Sequence, residues 1–159
     1  MIKNVIFDVD GVLNTGHFVY SKDGKSFKIF GPHDKDGLII ISKYVDNILF
    51  VTADKTGFLI SHARIVGDWG FSDDQLILLS EADRLGWISS RFDMQETAYM
   101  GDGYHDAPII KAARIGIAPS SGRIEAREAA DFVTPSKAGS GAVLDACLYI
   151  EQVILNDRM

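Results

Sequence analysis

The chain has 159 residues, 47% apolar and 24% charged, the composition of a single soluble globular domain and not of a disordered, collagenous or coiled-coil chain. Sixteen Lys and Arg stand against 22 Asp and Glu, a net charge of −6 with no basic stripe. That balance argues against nucleic acid, whose affinity comes largely from cations set on phosphates. A lone cysteine, Cys147, excludes an intrachain disulfide framework and a thiolate zinc cluster. No apolar run reaches the roughly 20 residues of a membrane span. The opening stretch MIKNVIFDVDG lacks the basic-then-apolar pattern of a secretory signal, so the cytoplasm is the expected compartment.

In chain order, short apolar runs at residues 4–7, 48–51, 76–79, 98–100, 115–118 and 132–133 read as strands. Between them, residues 36–46, 56–69, 81–91, 106–114 and 123–130 have helical composition, and a last helix is expected over about 141–155. Fully apolar strands alternating with helices predict a parallel sheet covered on both faces, a Rossmann-like three-layer α/β sandwich. Ligands of such sheets bind beyond the strand ends. One segment breaks the alternation. Residues 17–30, HFVYSKDGKSFKIF, read as a β-hairpin turning at Asp23-Gly24. Its Phe18, Tyr20, Phe27 and Phe30 need cover, either on the domain itself or, the favoured expectation, on another subunit. No repeat or linker divides the chain, so residues 1–159 are expected to form one domain with a hairpin flap at about 16–30.

Two strand ends carry acids. Asp8 and Asp10, in Phe7-Asp8-Val9-Asp10-Gly11, share a face by strand alternation and can point into one pocket as the chain leaves the sheet. Alone, such a pair also reads as solvated strand-end acids. Gly101-Asp102-Gly103-Tyr104-His105-Asp106 repeats the arrangement after a second strand, although Asp106 also suits a helix N-cap before Ala107-Pro108. Carboxylates converging from two strand ends would make a hard, oxygen-rich site suited to Mg²⁺. Between them Thr52 ends a third apolar strand, where a hydroxyl can cap the next helix or, alongside backbone N–H groups, donate to a phosphate oxygen. A phosphoryl group also needs a cation, and Lys55, Arg84 and Lys111 are the candidates.

The order D-x-D-G, strand-Thr, basic residue and G-D-x-x-x-D resembles the haloacid dehalogenase-like phosphatases over residues 4–150. More narrowly it is similar to their small capless subgroup containing the 3-deoxy-D-manno-octulosonate (KDO) 8-phosphate phosphatases. The hairpin, the Asp36-Gly37-Leu38 helix start and the Gly-rich Ala138-Gly139-Ser140-Gly141 stretch support the narrower likeness. The resemblance implies a Mg²⁺-dependent phosphomonoesterase acting on a small phosphorylated sugar acid. Asp8 would be the nucleophile that becomes an aspartyl-phosphate, and Asp10 the general acid and base. Asp8, the Asp10 carbonyl and Asp102 would hold Mg²⁺, with Asp106 orienting the cation from behind. Thr52, Ala53 and Arg84 would hold the phosphate. The subgroup is typically tetrameric, which matches a hairpin packed between subunits. One helix and one strand, or the hairpin and one helix, fill the intervals between motifs, so no cap domain is expected.

The chain departs from the subgroup's pattern in several places. Arg84 stands for the usual lysine, and Ala53-Asp54-Lys55 for a loop usually containing Gly-Arg. Asn14-Thr15-Gly16 stands for Thr-Asp-Gly, at positions expected to face the substrate, and Gly103 where a second Asp is common. These departures leave two other readings open, a phosphatase of nonulosonate 9-phosphates and a catalytically weak oligomerisation module of the kind joined to sugar cytidylyltransferases. They also leave Asn14, Asp54, Lys55 and His105 without an assigned role.

Overall fold

A computed structural model describes all residues 1–159. Six parallel strands form the central sheet: β1 (Asn4–Asp8), β4 (Asn47–Thr52), β5 (Leu76–Leu78), β6 (Thr97–Met100), β7 (Ile115–Ala118) and β8 (Phe132–Val133), in the order β5-β4-β1-β6-β7-β8. The antiparallel hairpin of β2 (Asn14–Ser21) and β3 (Gly24–Phe30) forms a separate two-stranded sheet. Helices α1 (Asp34–Ile41), α2 (Phe58–His62), α3 (Glu81–Arg91), α4 (Ala107–Ala112), α5 (Ile124–Ala129) and α6 (Ala142–Arg158) complete the chain. The expected three-layer α/β architecture is the one observed.

Strand alternation divides the core into two layers. Val5 and Phe7 of the fully buried β1 point to one face, joining residues of α1 and α6 in the larger cluster. Ile6 points to the other, against Ile88 of α3, Ile109 and Ile110 of α4 and Ala126 of α5. A strand covered on both faces is apolar between its ends, which is why Val5-Ile6-Phe7 shows no alternation before its acid.

The helix expected over residues 36–46 is shorter, running from Asp34 to Ile41. Ile41 is the last of its residues to reach the core. The amides of Lys43 and Tyr44 then bond back three residues to Ile40 and Ile41, tightening the chain into a turn before β4. The helix expected over 56–69 begins at Phe58, and after His62 it widens into a π-helix over Ala63–Asp68.

Chain order sends β4 and β5 to one side of β1, and β6, β7 and β8 to the other. That reversal opens a crevice at the carboxyl ends of β1, β4 and β6, where Asp8, Thr52 and the Gly101-Asp102 loop all arrive.

Candidate active site

The chain leaves β1 through a loop that Asn14 holds together. Its buried side-chain oxygen accepts the Gly11 and Gly16 amides at 3.0 and 2.9 Å, while its Nδ2 donates to Asp10 Oδ1 at 2.9 Å. Asn14, expected to face a substrate, is 0% exposed and turned into the loop instead. Gly11 has φ +81°, and a Cβ there would lie 2.0 Å from Asp102 Oδ2. Only glycine allows both that backbone and so close an approach by the second acidic loop.

Asp8, Asp102 and Asp106 each bring a carboxylate oxygen within 4.8 Å of the others. Asp106 is already saturated. Its Oδ2 accepts the amides of Asp102 and Gly103 at 3.1 and 2.9 Å, and its Oδ1 accepts the Tyr99 hydroxyl at 2.5 Å and Arg84 Nη1 at 3.1 Å. A carboxylate so engaged orients its neighbours and has little left for a cation. Asp8 and Asp102 differ in this respect. Burial, then the neighbouring Asp106, pushes the Asp8 carboxyl well above the usual range against the opposing pull of Arg84. The same two causes push Asp102 up to about 6. Two hard oxygen donors strained by mutual repulsion are what a divalent cation relieves, so the residues fit Mg²⁺.

Arg84 sits in the first turn of α3 on the face that also carries buried Ile88, one turn later. The helix therefore aims its guanidinium into the site. Nη1 lies 3.2 Å from Asp8 Oδ1 and 3.1 Å from Asp106 Oδ1. Of the three candidate cations only Arg84 reaches the acids; Lys55 and Lys111 are exposed and lie outside the pocket. Thr52, 1% exposed, accepts the Asp54 amide at 3.1 Å and donates to Asp10 Oδ2 at 3.4 Å. Ala53 lines the pocket beside it.

These groups surround an open pocket of about 430 Å³ in which carboxylates outnumber cations. His105 and Glu81 face each other across its rim at 3.4 Å. Lys25 of the hairpin lines the pocket and Lys28 lies buried behind its acids, and neither is among the cations expected from the sequence. Lys25 Nζ lies 2.6 Å from Asp54 Oδ2 and 3.7 Å above the Phe18 ring; Lys28 Nζ lies 2.8 Å from Asp10 Oδ1 and 2.9 Å from Asp54 Oδ2. Burial works to raise the Asp54 carboxyl, but the hydrogen bonds from Lys25 and Lys28 outweigh it and hold the group well below the usual range. Lys28 shares a strand face with Phe30, two residues on, and a cation at that apolar position was the available signal. Tyr99, also missed, was hidden inside an apolar strand.

Known proteins bear directly on this arrangement. Residues 89–146 match a family model described as haloacid dehalogenase-like hydrolase. The KDO 8-phosphate phosphatase of Haemophilus influenzae is 31% identical over 149 residues, covering 89% of this chain and 78% of that protein. This chain belongs to the haloacid dehalogenase-like hydrolases, among the KDO 8-phosphate phosphatase relatives. It is a phosphatase of that family. The cobalt-bound H. influenzae enzyme superposes with a TM-score of 0.80 at 26% identity, covering 96% of this chain and 89% of that one. The Moraxella catarrhalis enzyme, solved with magnesium, phosphate and KDO, shares the fold with a TM-score of 0.77 at 24% identity, covering 98% and 86% of the two chains. No helix of this phosphatase is long and apolar enough to cross a membrane.

Proposed function

We propose that this phosphatase hydrolyses the phosphomonoester of a small sugar acid, KDO 8-phosphate or a close analogue, through an aspartyl-phosphate on Asp8. The observation that carries the reading is the setting of Asp8 at the pocket floor, with Arg84 on one of its oxygens and Asp102 beside it. The substrate of the H. influenzae relative, KDO 8-phosphate, supports the choice of sugar acid.

Asp8, Asp102 and the Asp10 carbonyl would hold Mg²⁺, which when bound neutralises charge on the phosphoryl oxygens. Asp8 attacks phosphorus with the oxygen not held by Arg84. Arg84 and the amides of the 52–54 loop stabilise the transferring group. Asp10 gives a proton to the leaving sugar oxygen and later takes one from the water that opens the phospho-enzyme. Asp106 keeps Arg84 and the Asp102 loop in place.

A nonulosonate 9-phosphate is the second reading, favoured by Asp54, a carboxylate in the pocket wall where the subgroup usually has arginine. Arg84 engaged on Asp8 speaks against a module that has lost catalysis. The outward hairpin side chains Tyr20 and Phe27, each 65% exposed, are proposed to pack on further copies in a homotetramer, in the cytoplasm. Phosphate release from a panel of phosphosugars containing both sugar acids, with Mg²⁺ and with EDTA, tests the reading. Selective, Mg²⁺-dependent release from one of them is expected; silence from folded protein on every ester would refute it.

A further inference from the structure

Strand β3 inverts the usual pattern. Phe27 and Ile29 face outward at 65% and 49% exposure, while the side chain of Lys28, on the inward face, has no exposed surface. A strand packed for stability alone would turn its apolar residues inward. Removing an ammonium from water costs several kcal/mol unless its protons all find partners. Lys28 has three, Asp10 Oδ1 at 2.8 Å, Asp54 Oδ2 at 2.9 Å and Ser61 Oγ at 2.8 Å, one for each proton.

The consequence falls on Asp10. Its Oδ1 accepts both Lys28 and the Asn14 amide, whereas Oδ2 has only the long 3.4 Å contact with the Thr52 hydroxyl. A third hydrogen on Oδ1 would face two donors. On Oδ2 it meets none that cannot turn away, because a hydroxyl donates or accepts.

We propose that Lys28 is a positioning residue for proton transfer: by holding Asp10 Oδ1 it makes Oδ2 the oxygen that exchanges the proton. The inference rests on the acid–base role of Asp10 given above. As an Asp8 oxygen bonds to phosphorus and the bond from phosphorus to the leaving oxygen breaks, the O–H bond at Oδ2 breaks too, and the proton passes to the leaving alkoxide. In the second half, water forms the new bond to phosphorus, the Asp8–phosphorus bond breaks, and Oδ2 takes the water's proton. Lys28 keeps its own protons throughout. Because Lys28 lies on the hairpin and Asp54 and Ser61 follow β4, the rotamer of the acid is set jointly by two segments distant in sequence.

Leaving-group dependence tests this. A 4-nitrophenolate departs without help, but a sugar alkoxide needs the proton. We would measure kcat with Mg²⁺ for wild type and Lys28→Met on 4-nitrophenyl phosphate and on the sugar phosphate turned over best in the panel. Lys28→Met is expected to lose on the order of 10–100-fold more on the sugar ester than on the aryl ester, part of the roughly 10²–10⁴-fold that general acid catalysis contributes. The ratio of the two rates is independent of how much of the preparation is folded, so a merely structural role would leave it unchanged. Equal losses on both esters would overturn the proposal. Ser61→Ala removes a partner of Lys28 without touching Asp10, and should move the ratio the same way by a smaller factor. Should Lys28→Met not fold, an unchanged ratio in Ser61→Ala is the overturning result. Wild type inactive on both esters would instead strike the phosphatase reading itself, and the proposal with it.

Discussion

Arg84 Nη1 lies 3.2 Å from Asp8 Oδ1, so a fixed, buried positive charge touches the carboxylate proposed as nucleophile. One nitrogen of the guanidinium lies within 3.3 Å of Asp8, Asp106 and the Tyr99 hydroxyl at once, with the charge spread over the planar group, where a lysine would place a compact point charge on a shorter stem. Replacing Arg84 by Met removes the charge and leaves Asp8 and Asp106 facing each other unrelieved. Turnover should fall on the order of 10²–10³-fold, the scale of losing one preorganised electrostatic contact. Arg84→Lys should recover part of that loss. Steady-state phosphate release from the two variants checks the order, and equal rates would contradict it.

Asp8→Asn should abolish turnover while leaving the fold intact. The substitution removes a buried charge held near Asp102 and Asp106, so the thermal midpoint without metal should stay level or rise. Residual turnover above about a thousandth of wild type would contradict the nucleophile assignment, since losing a covalent nucleophile typically costs more.

Mg²⁺ affinity should depend on pH in one direction. As the proposed ligands, Asp102 and Asp8 must be ionised to bind it, and both are held above the usual carboxylate range, Asp102 at about 6. Affinity should therefore weaken as pH falls below about 6 and strengthen above it. Calorimetric titrations at pH 5.5 and 7.5 read the difference, together with proton release at the lower pH.

Asp34 offers a separate stability test away from the site. It is 1% exposed and faces the backbone at Val143 and Leu144, in the first turn of α6. Burial raises its carboxyl to about 7 despite those backbone contacts and Arg64. The folded state thus holds a proton that the unfolded chain gives up near its ordinary value of 3.8. The resulting stability is full below pH 4 and is lost as pH rises through 7, at about 1.4 kcal/mol per pKa unit. Urea melts of metal-free protein from pH 5 to 8 should show a steeper decline for wild type than for Asp34→Asn.

The outer face of the hairpin predicts self-association. Phe27→Asp together with Ile29→Asp adds charge where a second copy is proposed to pack, and leaves the inward Lys28 in place. Light scattering should show smaller particles than wild type, and an unchanged mass would remove the hairpin from the interface.

The amino-acid sequence by itself determined the three-layer architecture and most of the acids. Apolar strands such as NVIFD end abruptly at a carboxylate, and strand periodicity is a local property written in neighbouring residues. Arg84, too, was legible as a charge in the first turn of a helix after the right strand. What the tertiary structure decided were the partners. Lys28 lies 18 residues from Asp10 and 33 from Ser61, so no local pattern joins them. Tyr99 looked like strand filler until the sheet set its hydroxyl on Asp106. Asn14 looked like a substrate contact until the β1 loop closed around it. The Lys28 contacts depend on which distant segments the fold brings together, and those of Asn14 and Tyr99 on how the loops after β1 and β6 fold back on themselves; neither kind leaves a periodic trace in the chain.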